Sequence, residues 1–553
     1  SDISIESSTF MDCSADKGGA IEFNQDNSGV GIESSTFMGC NANEYGGAID
    51  FFTGNSDISI ESSTFSRCSA QKSGGALLFE QSNSNISIWS STFMDCSADN
   101  GGALSFLQTN SNASVASSTF SSCSAGYSGG SIYLENDNDD IVVESSRFVS
   151  NTAGDGATSL GIGGAIYANE NNNRIALLGD GVERRVWLVP RYSLPTFAPP
   201  SSYEATYEFQ GDFAAFLVVF SPDVFLSFNG QFSVTSRSKT AVYGHGDRFP
   251  GVNTTALIVP GPSLNLSIVD KANVECNYCT GTYGGFPVFI YGLPNSDKAG
   301  DTAVTSFLNN EAGDSGGAVA MRQTNNAAVV LGVDVTGNKA EIGSGGGIYL
   351  QTANQYASFA QTHFARNKAG LLGGGIAMEV SHSGVQVSNC SFVSNSASSG
   401  GGLGLSTLNG IGSIQSGTFP STFGVGIYQS KFSSNSASEG GAIYSLTTNA
   451  FVVSESDIRS NVAIVSGGGC FFGSSSQVGV QKSVLSTNSA PTGGAVYTGQ
   501  KSKLNVTSCD FIDNVADISG GGMSLDSVAQ LTFQGTVRLA GNSAGYYGGG
   551  LFL

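Results

Sequence analysis

The sequence predicts an all-β protein: a right-handed parallel β-helix solenoid of about 15 coils with an inserted β-rich domain. Three observations carry that expectation. One motif returns fifteen times at a spacing near 28 residues. Each copy contains short apolar/polar alternations bounded by glycine, the period-2 sign of a half-buried strand. No segment shows the i, i+3, i+4 apolar spacing of a helix.

The first copies spell the motif most plainly: Ser-Ser-Thr-Phe-Met-Asp-Cys-Ser-Ala, a few variable residues, then Gly-Gly-Ala-Ile and an Asn/Asp-rich stretch. The residue three after the large apolar one defines a slot. It is Cys13, Cys40, Cys68, Cys96 and Cys123, then Asn151, Asn310, Asn338, Asn367, Asn395, Asn435, Asn461, Asn488, Asn514 and Asn542. Spacings between slots run from 26 to 29, except for two, 159 and 40, that mark insertions.

Three positions in each copy have physical jobs. The residue three before the slot is Phe in eleven copies and Val335, Ile458, Leu485 or Leu539 in the others, so it points inward. The residue two after the slot is Ala in all fifteen, which suits a tight inner corner. The following Gly pair supplies positive φ or close backbone approach at a second corner. Between corners, Ile3-Ser4-Ile5-Glu6-Ser7 and Ile58-Ser59-Ile60-Glu61-Ser62 alternate as strands do. Coils of parallel strands stack at about 4.8 Å, and the crossover preference makes the coil right-handed. An inward Asn repeated at one corner can form an amide ladder that satisfies turn backbone.

The pairing of Phe-x-x-Asn with Gly-Gly-Ala-(Ile/Leu/Val), as in Phe148-Val149-Ser150-Asn151 with Gly163-Gly164-Ala165-Ile166, and Phe432-Ser433-Ser434-Asn435 with Gly440-Gly441-Ala442-Ile443, resembles the repeats of chlamydial polymorphic outer membrane proteins. The resemblance implies a β-helical surface protein of adhesin type. Similar repeats also occur in large extracellular proteins of algae and other protists. The chain departs from the family pattern in its first five copies, where Cys replaces Asn, and no membrane barrel follows the repeats, so outer-membrane anchoring is not carried over.

Three segments are expected: an N-terminal β-helix over 1–170, an inserted Pro-rich β domain over 171–305 and a C-terminal β-helix over 306–553. The insertion holds ten of the twelve Pro and apolar runs such as Phe213 to Phe220. The chain opens and closes inside a repeat, which suggests either a piece of a longer chain or a protomer whose ends meet other protomers. No run of 18 apolar residues is present, so no membrane insertion by a helix is expected. Net charge is −21 with only 12% charged residues, which disfavours nucleic acid and anionic lipid as partners.

Few residues suggest chemistry. In-register stacking brings slot cysteines within Cα range of a disulfide but keeps their Cβ atoms too far apart for an unstrained one; free buried thiols and one or two inter-coil disulfides both stay open. A metal ladder is not expected there, because no His lies in those copies. Cys276 and Cys279 form a lone C-x-x-C, read as a candidate local disulfide because zinc would need a second pair. Gly313-Asp314-Ser315-Gly316-Gly317 copies a serine-protease nucleophile motif but coincides with an ordinary Gly corner. Gly244-His245-Gly246 resembles one signature of polygalacturonases without the others, and glycoside hydrolysis needs a placed carboxylate pair. The cluster Glu135-Asn136-Asp137-Asn138-Asp139-Asp140 reads as a solvated turn, with calcium as the sharper alternative. Six sequons make Asn85, Asn112, Asn253, Asn265, Asn389 and Asn505 candidate glycosylation sites.

No catalytic residue, cofactor or resident metal is expected. The leading reading is a non-enzymatic extracellular structural protein, a rod that self-associates end to end into a surface filament or hair-like appendage such as a mastigoneme. A surface adhesin that binds cells or glycans through the insertion is the alternative, and a β-helical polysaccharide lyase or hydrolase the second.

Overall fold

The computed structural model describes residues 3–154, 160–179, 305–407, 425–447, 449–527 and 529–553, and the backbone of ten strands between 183 and 294. They form two units: Ser1–Gly179, Ala303–Ile414 and Phe423–Leu553 make the first, Asp180–Thr302 and Gln415–Thr422 the second.

The first unit is a parallel β-solenoid. One coil runs through four short strands, exemplified by Ser28–Glu33 (β1), Thr36–Met38 (β2), Asn41–Tyr45 (β3) and Ile49–Thr53 (β4). Each strand pairs in register with its counterparts one coil before and after, giving sheets A to D. Sheets A, B and D each hold fifteen strands. Sheet C is divided into nine and five strands, joined through single bridges at Ser396 and Ser399. No helix occurs among the described residues.

The register follows from the sequence. Thr36↔Thr64, Phe37↔Phe65 and Met38↔Ser66 pair across sheet B, so each inward residue lands on its own kind. Phe10, Phe37, Phe65, Phe93, Phe120, Phe148 and Phe307 stack face to face with centroids 4.7–4.9 Å apart. A second column, Phe23, Phe51, Phe79 and Phe106, repeats this inside sheet D. Stacked pairs contribute roughly 0.5–1.5 kcal/mol each beyond area burial. At the Gly corner the two glycines differ in role. Gly46 has φ +59°, whereas a Cβ on Gly47 would sit 2.0 Å from the carbonyl oxygen of Gly75, so the backbones touch there.

The long insertion leaves and re-enters within one coil. Ala176–Leu178 lies in sheet A between Val142–Glu144 and Val329–Leu331, and the coil resumes at Ser306–Leu308 in sheet B. The coil therefore extends to Gly179, nine residues beyond the boundary that composition suggests, because Asn172 and Ala176–Leu178 already make inter-coil bonds. Thr305 likewise belongs to the coil: its hydroxyl donates to the Leu178 carbonyl.

The second unit is antiparallel. One four-stranded sheet runs Glu183–Pro190, Gly285–Pro294, Phe213–Phe220, Ala256–Pro260. Another runs Tyr203–Gln210, Ser263–Asp270, Gln231–Ser236, Lys239–Tyr243, and Val224–Leu226 pairs with Val274–Cys276.

Candidate functional site

The chemistry-bearing residues are gathered into columns that run from coil to coil. At the slot, Asn151 donates from its backbone N and its Nδ2 to Asn310 Oδ1, both at 3.0 Å. Asn310 does the same to Asn338, and the chain of amides continues through Asn367, Asn395, Asn435, Asn461, Asn488 and Asn514 to Asn542. The second Nδ2 hydrogen goes to the carbonyl of the slot −3 residue one coil back, as Asn310 to Phe148 at 3.2 Å. Each amide thus satisfies its own hydrogens and a turn N–H in a place closed to water.

The five cysteines occupy this same column as free thiols, Cys13 half-buried and Cys40, Cys68, Cys96 and Cys123 buried. They reproduce one arm of the amide: Cys68 donates to Phe37 O at 3.6 Å and Cys96 to Phe65 O at 3.6 Å. Cys123 is the junction, its backbone N donating to Asn151 Oδ1 at 3.0 Å. The Cys68 thiol is pushed up to about 12: contact with Cys40 lowers it, and contact with Cys96 together with burial raises it by more. Protonated thiols of this kind are poor nucleophiles.

Two further columns escape the sequence reading. Asn27, Asn55, Asn83, Asn110, Asn138, Asn172, Asn325 and Asn354 form a second amide ladder at the corner between sheets D and A, with Oδ1 distances of 2.8–3.1 Å to the preceding backbone N. Its signal was present: Asn stands four residues after the inward residue of sheet D, as in Phe51…Asn55 and Phe79…Asn83. His382 takes the next place, its Nδ1 3.1 Å from Asn354 O and its Nε2 3.1 Å from Leu350 O. Burial holds its pKa down at about 4. The third column is hydroxylic: Ser35, Ser63, Ser91, Ser118, Ser146 and Thr305, each accepting the backbone N of the residue one coil back. Cys390 and Cys509 sit in this column as serine equivalents, and Ser483 N meets Cys509 Sγ at 3.5 Å. Cys470 faces the core from sheet D between Ile443 and Val496.

The acidic cluster at 135–140 is no simple solvated turn. Asn138 is fully buried in the second ladder, and Arg174 lays its guanidinium on Asp139 and Asp140. Arg174 thus supplies one positive charge to this pair of carboxylates. A second acidic group lies outside the core on sheet D. Asp50 is fully buried and neither of its oxygens accepts a hydrogen bond. Burial, then the charges of Glu80 and Glu22, raise its carboxyl to about 8 against the pull of Lys17, whose Nζ lies 2.7 Å from Glu80 Oε1 beneath Tyr45 and Phe52. Burial beside Glu80 thus favours the protonated form of Asp50.

Ser315 of the protease-like motif accepts Ser344 N at 3.0 Å and is buried at a Gly corner, as the repeat requires. Asn85 and Asn112 are exposed and linked in a surface row, Asn112 Nδ2 to Asn85 Oδ1 and Asn85 Nδ2 to Asp57 Oδ1, both 2.9 Å. Asn389 is exposed and Asn505 half-buried. Asn253, Cys279 and the Gly244-His245-Gly246 triplet lie outside the described residues, and Asn265 and Cys276 are described in backbone only.

Comparison with known proteins agrees with the repeat. The Chlamydia polymorphic membrane protein (Chlamydia_PMP) repeat matches residues 429–446, which span the Phe432…Asn435 and Gly440-Gly441 elements of one coil. The chain thus carries a repeat of the polymorphic-membrane-protein type on a parallel β-solenoid. No curated protein matches the chain. Among solved structures, a chain titled "Glycoside hydrolase" aligns at 8% identity over 74% of this chain and 89% of its own, with a TM-score of 0.15, too low to carry an argument.

Proposed function

We propose that this protein is a non-enzymatic extracellular structural protein, a β-helix rod of the surface-repeat type that self-associates through its coils into a filament or hair-like appendage. The observation that carries the proposal is the uniformity of the coil-to-coil interface. From coil to coil the same in-register strands, amide rows and ring columns recur, so one coil surface is complementary to the next. A second copy that stacks a coil on this one makes bonds of a kind the chain already makes many times.

The non-enzymatic reading rests on where the polar groups are used. Slot amides are consumed in ladders, Asp50 is buried against Glu80, and Asp139 and Asp140 share an ion pair with Arg174. The slot amides from Asn151 to Asn514 and the Asp50 carboxyl are buried and closed to a polysaccharide. Glycans attached at Asn85 and Asn112 would project from an outer row without entering the core.

A second reading, adhesion through the insertion, is favoured by one observation: Asp180–Thr302 pairs its strands among themselves and forms its own unit. Removing residues 180–302 separates the two. The structural reading expects assembly measured by sedimentation to survive while any binding to cells or glycans is unaffected. Loss of cell or glycan binding with assembly absent in both proteins would replace the filament by the adhesin.

A further inference from the structure

The cysteine column has a geometry that its role as a substitute for asparagine does not require. The single S–H of Cys40 is offered to Met38 O at 3.8 Å or Phe10 O at 3.7 Å, and that of Cys68 to Ser66 O or Phe37 O, both at 3.6 Å. Cys96 and Cys123 repeat the pattern with Met94 and Phe65, and with Ser121 and Phe93, at 3.5–3.7 Å. Identical donation in coils that pair in register places the sulfurs one above another at the coil spacing. The phenylalanines three residues earlier fix that spacing at 4.7, 4.8, 4.9 and 4.8 Å.

This spacing is more than twice a disulfide bond of about 2.05 Å. Two metal–thiolate bonds of about 2.3 Å laid end to end, however, span about 4.6 Å. We propose that thiols of adjacent coils form linear two-coordinate sites for a soft, thiophilic d10 cation of the Cu(I), Ag(I) or Hg(II) class, one cation bridging two sulfurs. Among the described residues no three metal-ligating side chains converge, which speaks against zinc-type sites; a linear site needs only two. The absence of His from these coils, an obstacle to zinc, is none to thiolate-only coordination.

The reaction involves no redox step. Two thiols lose their protons to solvent and two metal–sulfur bonds form; a divalent cation leaves a neutral dithiolate, which suits the apolar interior, whereas a monovalent cation leaves a monoanion, so Hg(II) fits the column best. Bound sulfur is bent, so in a straight column one sulfur does not serve two collinear cations. Bridging therefore depends on adjacency: two pairs can be bridged together in three ways, Cys13–Cys40 with Cys68–Cys96, Cys13–Cys40 with Cys96–Cys123, or Cys40–Cys68 with Cys96–Cys123, and one thiol is left over each time.

Adjacency supplies the test. The reduced full chain is titrated with Hg(II), followed by sulfur-to-mercury ultraviolet absorbance and by metal retained after gel filtration. Cys68→Asn keeps two adjacent pairs and is expected to retain as much mercury in the ladder as the parent. Cys40→Asn combined with Cys96→Asn keeps three thiols, none adjacent, and is expected to lose both equivalents of dithiolate absorbance and the rise in Tm on metal addition. Asn is the residue the other ten coils carry at this slot, so both variants retain the fold, checked by far-ultraviolet circular dichroism. Retained mercury that instead tracks the number of thiols, or is equal in all three proteins, overturns the proposal.

Discussion

Asn151 and Asn310 are 159 residues apart in sequence, yet the backbone N and the Nδ2 of the first both lie 3.0 Å from Oδ1 of the second. The amide column crosses the site of the long insertion without a break in distance. Next to it, the Thr305 hydroxyl donates to the carbonyl of Leu178, so the two chain ends that flank the insertion are held together by the coil itself.

The first prediction follows from that closure. Replacing residues 180–302 with a short Gly/Ser linker is expected to leave a folded solenoid, since closing a shorter loop costs little entropy. Circular dichroism and thermal melting check it; an unfolded product would show that the insertion holds the coil together.

Within the slot, an interior amide is expected to be costly to remove. Asn461→Ala strips the acceptor from Asn435 N and Nδ2 and the donor from Phe432 O, and should cost about 2–4 kcal/mol in denaturant unfolding. Conversely, Cys123→Asn extends the ladder toward Asn151 Oδ1 and Phe93 O and should stabilise by about 1 kcal/mol.

Asp50 predicts a loss of stability with rising pH. Its carboxyl is raised, so its contribution is complete below the ordinary carboxylate range, is lost progressively as pH approaches about 8, and changes no further above. Lys17, Glu22 and Glu80 are the charged groups that act on it. Asp50→Asn should flatten this dependence; Tm profiles of the two proteins that stay parallel from pH 4 to 9 would contradict it.

His382 predicts the opposite slope. Its pKa is depressed to about 4 by burial, so its contribution is complete above the usual imidazole pKa and is lost as pH falls from about 6.5 to about 4. His382→Asn places an amide in the ladder after Asn354 and should raise Tm most at pH 4 to 5.

Much of this molecule is legible in its sequence because a solenoid reports the same constraint at every turn. Phe37 and Phe65 are inward for one reason, and fifteen repetitions average away the ambiguity of any single strand. The second amide ladder was harder to see, since Asn55, Asn83 and Asn110 stand in stretches rich in Asp, Ser and Asn that also suit exposed turns. Only the stacking distinguishes buried Asn83 from exposed Asn85 two residues on. The pairing of Asp139 and Asp140 with Arg174 was invisible for another reason: it joins successive coils of unequal length. The sequence leaves a free thiol column and inter-coil disulfides both open, because in-register Cβ atoms repeat at the coil spacing, at the margin of disulfide geometry.

The claim that one coil surface is made to stack on another is tested most directly by electron microscopy of the purified protein over increasing concentration, with fibre diffraction from any aligned filaments. The account predicts filaments with strands across the axis and a meridional reflection at the 4.7–4.9 Å coil spacing. Single dispersed particles at every concentration would contradict it.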